Sequence, residues 1–209
     1  MSPEAREAAT VILLRDSPGG PEVLLVKRNP AQQFMGGAWV FPGGATHGGD
    51  GDELRTAVRE LEEEAGIPLP GEAELVRFSR WITPAEASIR FDTHFFVARA
   101  PDGAEPSVDG RECVEARWIR PRDALDAGER GELMLVFPTI KHLEQLARFT
   151  SVADALTGAR ARKVMPVPPR LLVEGGAARV LLPGEPGYGC APASCADSRD
   201  TRQGPLAGG

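Results

Sequence analysis

A chain of 209 residues is long enough to bury one sizeable core and carry an appendage. With 42% hydrophobic and 26% charged residues it has the make-up of a folded globular protein, which excludes disorder over its whole length. A formal net charge of −6 excludes a passive polyanion binder, because nucleic-acid backbones are gripped through excess Lys and Arg; a phosphorylated small molecule stays open if a cation supplies the positive charge. No run approaches the roughly 18 apolar residues of a membrane span. The start, Met1-Ser2-Pro3-Glu4-Ala5-Arg6-Glu7, is polar rather than basic-then-apolar. Cys113, Cys190 and Cys195 are too few and scattered for a disulfide framework or a zinc site, so they read as free thiols and the chain as cytoplasmic.

In chain order, Thr10–Arg15 and Glu22–Arg28 are apolar, β-branched runs around Asp16-Ser17-Pro18-Gly19-Gly20-Pro21 and predict a hairpin. Trp39-Val40-Phe41 predicts a short strand closed by the turn Pro42-Gly43-Gly44, followed by a glycine-rich acidic stretch over 45–51. A helix is expected over 52–65, stopped by Gly66 with Pro68 beyond. Strands follow at Ala73–Ile82, Ile89–Arg99 and Cys113–Ile119, and Pro121 opens a short helix. Residues 137–149 and 152–160 read as helices, with Ile140, Leu143, Leu146 and Ala147 recurring at helical spacing. Short apolar runs near Leu171 and Val180 suggest a late hairpin, and from Pro183 onward a composition rich in Gly, Pro, Ala and Ser predicts a mostly disordered tail. This mixed order predicts a layered α/β or α+β domain.

The chemistry sits in the helix over 52–65. At about 100° per residue, Leu54, Val58, Leu61 and Ala65 share a stripe that would face the core, while Glu53, Glu60 and Glu64 align on another face with Glu63 beside them. Carboxylates on adjacent turns repel one another unless a cation neutralises them, and hard divalent cations take such oxygen ligands together with water and substrate phosphates. Glycines just before the helix let the backbone approach such an ion and offer a carbonyl. The alternative reading of the same acids is a solvated helix face.

The stretch Gly43 to Ile67 resembles the Nudix hydrolase family. Its second half carries the family's pattern at every specified position: Arg59, Glu60, Leu61, Glu63, Glu64, Gly66 and Ile67. The first half departs from it. The family's early Glu falls on Gly51 when counted back from Arg59 and on Asp50 when counted forward from Gly44, with Asp52 and Glu53 as further stand-ins. The resemblance covers roughly residues 8–125, including Val40-Phe41-Pro42-Gly43-Gly44 and Trp118. It implies a Nudix α/β/α sandwich with a mixed central sheet over 8–128, a helical and hairpin extension packed on it over 129–182, and a tail over 183–209. It also implies attack of water on a diphosphate joined to another group, dependent on Mg²⁺ or Mn²⁺. By the same analogy Glu60 and Glu64 are metal ligands, Gly44 offers a further ligand, Glu63 is a ligand or water-activating base, and Arg59 holds a carboxylate in place. A base supplied after the helix would be Glu112 or Glu115.

Leu24-Leu25-Val26-Lys27-Arg28-Asn29, then Phe34-Met35-Gly36-Gly37, is similar to the leader of family members acting on coenzyme A and acyl-CoA, with Asn29 where they have serine. Arg90-Phe91-Asp92-Thr93-His94-Phe95-Phe96 looks like the same branch. CoA is therefore the leading substrate, with ADP-ribose, NADH and nucleotide sugars behind it and a catalytically silent nucleotide-binding or regulatory module as the alternative of another class. Arg28, Arg80 and Arg90 could contact substrate phosphates, and Phe34 or Trp81 could stack on a base. His47 lies in the glycine loop. The expected partner is a small diphosphate, with no nucleic-acid polymer and no membrane; a homodimer is expected by analogy.

Overall fold

A computed structural model describes residues 3–70, 74–174 and 177–189. The elements begin with β1 (Arg6–Arg15), β2 (Glu22–Arg28), β3 (Trp39–Val40), β4 (Gly43–Ala45), α1 (Glu53–Ala65), β5 (Val76–Ile82) and β6 (Phe91–Arg99). They continue with β7 (Cys113–Ile119), α2 (Pro121–Glu129), α3 (Phe137–Leu146), α4 (Val152–Arg160), β8 (Pro166–Val167), β9 (Arg170–Glu174) and β10 (Ala177–Leu181).

Eight strands form one mixed sheet in the order β3-β2-β1-β6-β5-β8, with β4 also on β1 and β7 also on β2. The strands β1 and β6 run parallel, as do β5 and β8, and the other pairs are antiparallel. The expected hairpin forms, but β1 and β2 pair only at Leu14↔Val23 and Arg15↔Glu22. Beyond that point they fork: β2 takes β7 and β3 as neighbours, and the first half of β1 takes β4. The fork opens the space in which the site lies.

Residues 11–14 of β1 and 23–26 of β2 are buried on both faces, which is why these strands read as unbroken apolar runs. Alternate residues serve opposite layers. Val11 and Leu13 pack with Leu24, Val26 and Phe96 under Ala57, Leu61 and Ala65 of α1. On the other face Ile12 and Leu14 pack with Val23, Leu25, Phe78 and Val97 under Ala124, Leu143, Leu146, Val152 and Leu156 of α2 to α4. The result is the α/β/α sandwich. Truncating the fully buried Leu61 to Ala would cost about 2–5 kcal/mol.

Three expectations need correction, and one strand is new. Gly43–Ala45 is a strand rather than a turn, pairing Thr10↔Gly43, Ala9↔Gly44 and Ala8↔Ala45. Leu54 is exposed and Val58 only half-buried, because α1 lies on the sheet through Ala57, Leu61 and Ala65 and turns its first residues outward. Strand β8 carries a proline at the sheet edge, where the missing N–H costs no ladder bond, and composition gave no sign of it. Residues 183–189 form turns tied to the late hairpin, Arg170 Nη1 donating to Tyr188 O (2.9 Å) and the Tyr188 hydroxyl to Pro168 O (2.7 Å). The rest of the expected tail, with Cys190 and Cys195, lies outside the described residues. Among the described residues no helix is long and apolar enough to cross a membrane.

Candidate active site

Helix α1 starts at Asp52, whose side chain accepts from Arg55 N, and ends at Gly66, in the left-handed conformation at φ 64°, whose N–H returns to Glu62 O. Between these caps the helix places Glu60 and Glu64 one turn apart, 6% and 2% exposed, at the sheet fork. The Gly43 N–H donates to Glu64 Oε2 (2.9 Å), and Arg28 Nη1 stands 4.0 Å from Glu64 Oε1. Fully buried Cys113 lies beside Glu64, and burial pushes its thiol up.

Arg59 is the knot that ties the preceding loop to the helix. Its Nε and Nη2 clasp both oxygens of Asp50 (2.9 and 3.0 Å), and Nη2 also donates to Ala45 O (3.2 Å). Its Nη1 reaches Glu63 Oε2 (2.7 Å) and Glu60 Oε1 (2.9 Å). Asp50 also accepts from His47 N (2.8 Å) and the Thr56 hydroxyl (3.0 Å). Of the positions competing for the early carboxylate, Asp50 is therefore the one that reaches Arg59; Asp52 caps the helix and Glu53 pairs with Arg77.

The acids differ in charge balance. The Arg59 guanidinium, with the His47 N–H, holds Asp50 far below the usual carboxylate range, and Asp50 in turn raises Arg59. Burial pushes Glu64 up to about 7, and neighbouring Glu60 adds to this, against the pull of the Gly43 N–H and Arg28. Burial also raises Glu60, opposed by Arg59. Two adjacent buried carboxylates thus carry less compensation than their charge requires.

That imbalance is the test of whether a cation fits, and it does. The oxygen donors suit a hard divalent ion, and the Gly44 backbone lies so close that a Cβ there would fall 2.5 Å from Glu60 Oε1. Among the described residues no three His, Cys, Asp or Glu side chains converge as a closed cage. Mg²⁺ does not need one, since it is held by one or two carboxylates with waters and substrate phosphates.

These residues line a cleft of about 380 Å³. Arg28, Phe34, Gly44, His47, Arg59, Glu60, Glu63, Glu64 and Glu112 all face it. The lining also includes the apolar residues Met35, Phe91, Phe95, Val136 and Pro138, with Phe34 and Phe91 5.8 Å apart. The remaining expected residues are elsewhere. Arg80 is clasped by Asp92 at 2.8 and 2.7 Å, because Asp92 is its diagonal neighbour across the β5–β6 ladder, two residues before its register partner His94. Arg90 donates to Thr83 O and Pro3 O and faces a second cleft. Glu115 pairs with Arg117 (2.7 Å) and Lys27 (3.8 Å) along the β7–β2 ladder, and Trp81 is buried in the core.

Sequence reasoning missed Thr56, the α3 contribution at Pro138 and Thr139, and Asp109. Asp109 accepts from the N–H groups of Arg111, Glu112 and Cys113 and so shapes the loop presenting Glu112. The Asp109-Gly110 dipeptide was a usable turn signal.

A mixed sheet between helical layers, with a Gly-Gly strand feeding a glutamate-lined helix, is the arrangement of one class, and residues 5–136 match the NUDIX domain family model. The chain belongs to the Nudix hydrolase family. It is 30% identical to nudix hydrolase 7 of Caenorhabditis elegans over 183 aligned residues, covering 68% of this chain and 61% of the relative. Against the uncharacterized Nudix hydrolase NudL of Klebsiella aerogenes it is 35% identical over 71 residues, 34% of this chain and 58% of the relative. It thus spans about three fifths of these curated relatives. Among solved structures, a Nudix hydrolase from Alicyclobacillus acidocaldarius superposes with a TM-score of 0.68 at 28% identity, covering 74% of this chain and 96% of that one. The Nudix domain of Shewanella oneidensis NrtR, solved with ADP ribose, shares the fold at a TM-score of 0.55 and 19% identity, over 68% of this chain and 86% of that one. Members of the family generally use divalent cations.

Proposed function

We propose that this chain hydrolyses a nucleoside diphosphate joined to another moiety, with coenzyme A or acyl-CoA as the substrate and Mg²⁺ or Mn²⁺ as the cofactor. The observation that carries the reading is the buried, under-compensated pair Glu60 and Glu64 lining a cleft that also presents Phe34, Phe91 and Phe95. In this reading Glu60 and Glu64 hold the cation, with Glu63 and the Gly44 carbonyl as further donors. When bound, the cation neutralises diphosphate charge and lowers the pKa of a water.

The chain's own groups do the rest. Arg59 fixes the direction of Glu60 and Glu63, and Asp50 fixes Arg59. Arg28, at the cleft, meets a phosphate oxygen. Glu63 or Glu112 takes a proton from the attacking water, whose oxygen bonds to one phosphorus while the bridging oxygen leaves with the other phosphate. Phe34 and Phe91 offer an apolar surface for a base or an acyl chain. The choice of CoA rests on the leader residues around Arg28 and Phe34, both of which face the cleft. A homodimer in the cytoplasm completes the proposal.

The test is product analysis by mass spectrometry over CoA, acyl-CoA, NADH, ADP-ribose, nucleotide sugars and nucleoside triphosphates, with Mg²⁺, Mn²⁺ or EDTA. Metal-dependent release of an adenosine bisphosphate and a phosphopantetheine supports the proposal. Preferred cleavage of ADP-ribose or NADH overturns the CoA assignment, and tight nucleotide binding without turnover overturns the enzyme.

A further inference from the structure

A second cleft of about 530 Å³ lies between the β5–β6 turn and the C-terminal hairpin β9–β10 with the residues flanking it, and it meets the first at Thr83, which lines both. Thr83 and Phe91 close the β5–β6 hairpin: Thr83 N donates to Phe91 O (2.8 Å), and Phe91 N to Thr83 Oγ1 (3.0 Å). Phe91 faces the first cleft and its neighbour Arg90 the second. The hairpin end is therefore the sill between the two spaces.

The second cleft has the opposite electrical character to the first. Among the described residues, Arg90 and Arg170 face it against one acid, Glu86. Neither arginine forms an ion pair among the described residues; Arg90 donates to backbone carbonyls and Arg170 Nη1 to Tyr188 O. The Arg170 guanidinium lies over the Tyr188 ring at 5.2 Å, and the Tyr188 hydroxyl, bound to Pro168 O, fixes that ring. A guanidinium braced on an aromatic face keeps donors for a phosphate while losing little side-chain freedom.

We infer that the second cleft binds the distal, phosphate-bearing end of a long bipartite diphosphate whose scissile group sits against Glu60 and Glu64, the ligand crossing the Thr83–Phe91 sill. The inference rests on the proposed hydrolase and adds what selects its substrate: the carboxylate end needs an escorting cation, whereas the arginine end binds an anion directly. Glu86 opposes that anion, so its removal strengthens the site.

The experiment pairs a binding and a kinetic readout. Calorimetry in EDTA compares adenosine 3′,5′-bisphosphate with adenosine 5′-monophosphate; kinetics compare CoA with 3′-dephospho-CoA. In the wild type the extra phosphate improves binding and kcat/KM by roughly tenfold, the range of charge-assisted hydrogen bonds. Arg170→Gln brings both ratios to near one, and Glu86→Gln enlarges them. No preference in the wild type, or a preference that Arg170→Gln retains, overturns the inference. If neither CoA compound is hydrolysed, the functional reading fails, and calorimetry still decides on the subsite by the binding ratio in the wild type and in Arg170→Gln.

Discussion

The two layers flanking the sheet bury titratable groups in opposite ways. On the α1 side Asp50, Glu60 and Glu64 are buried, and Arg59 is the counter-charge that keeps Asp50 ionised. On the other side, fully buried His142 of α3 sits among Phe41, Phe78, Trp81 and Phe95, the last ring 4.3 Å away, with the Ser79 hydroxyl 2.6 Å from Nε2. Among the described residues no carboxylate meets the ring there, so burial pushes its pKa down to about 4 and the imidazole is neutral. One side retains charge by pairing it, and the other avoids charge altogether. Glu64 does neither. Pushed up to about 7, it is a buried carboxylate with incomplete compensation, and under the proposed function this contrast with Asp50 separates the metal-holding acid from the supporting one.

The largest effect should come from breaking that contrast at Glu64. Glu64→Gln keeps an acceptor for the Gly43 N–H but removes the charge, so turnover falls by roughly 10²-fold or more. The melting temperature in EDTA stays level or rises, since an under-compensated buried charge has gone. Asp50→Asn behaves the other way: it loosens Arg59, lowers the melting temperature and leaves more of the turnover. Thermal melts alongside initial rates check both, and a Glu64→Gln protein that melts lower than Asp50→Asn would erase the distinction.

The second prediction concerns the neutral side. The unfolded chain protonates His142 near pH 6.5, the folded chain only near pH 4. Between those values the unfolded state binds more protons, so the His142 contribution is complete above pH 6.5 and is lost as pH falls toward 4. The total is about 3 kcal/mol. Urea unfolding at pH 7.5 and 4.5 should show the wild type losing about 2 kcal/mol more than His142→Phe over this interval. Equal losses would mean that the ring is charged, or that it is solvated, in the folded protein.

Much of this was legible before any coordinates. Strand runs, the caps at Asp52 and Gly66, and the Arg59–Glu64 segment are local patterns, and local patterns survive tertiary context. What was not legible depends on residues far apart in sequence. Arg80 resembles a free phosphate ligand until β5 and β6 pair and bring Asp92 beside it. Glu112 and Glu115 are equivalent in sequence until the β7–β2 ladder hands Glu115 to Lys27 and Arg117 and leaves Glu112 at the cleft. His142 gave no signal because its aromatic walls come from four separate positions on other elements.

Gly43 and Gly44 put the same point at its sharpest, since adjacent and identical residues should fail differently. Both were read as a turn, yet they form a strand on β1 because neither side can hold a side chain. A Cβ on Gly43 would meet Ala9 O at 2.6 Å and Thr10 Cα at 2.7 Å, which are backbone atoms of a central strand and cannot yield. Gly43→Ala therefore loosens the β1–β4 pairing and costs about 1–3 kcal/mol of stability. The three atoms nearest a Cβ on Gly44 all belong to the Glu60 carboxylate, at 2.5–2.7 Å, the far end of a side chain that can move aside. Gly44→Ala should keep most of the stability while swinging Glu60 away from Arg59, so that the metal concentration for half-maximal activity rises several-fold. Chemical denaturation and a Mg²⁺ titration, run on both variants, read the two effects separately. Equal loss of stability would mean that Glu60 is held as rigidly as the strand, leaving it no freedom to adjust to a bound cation.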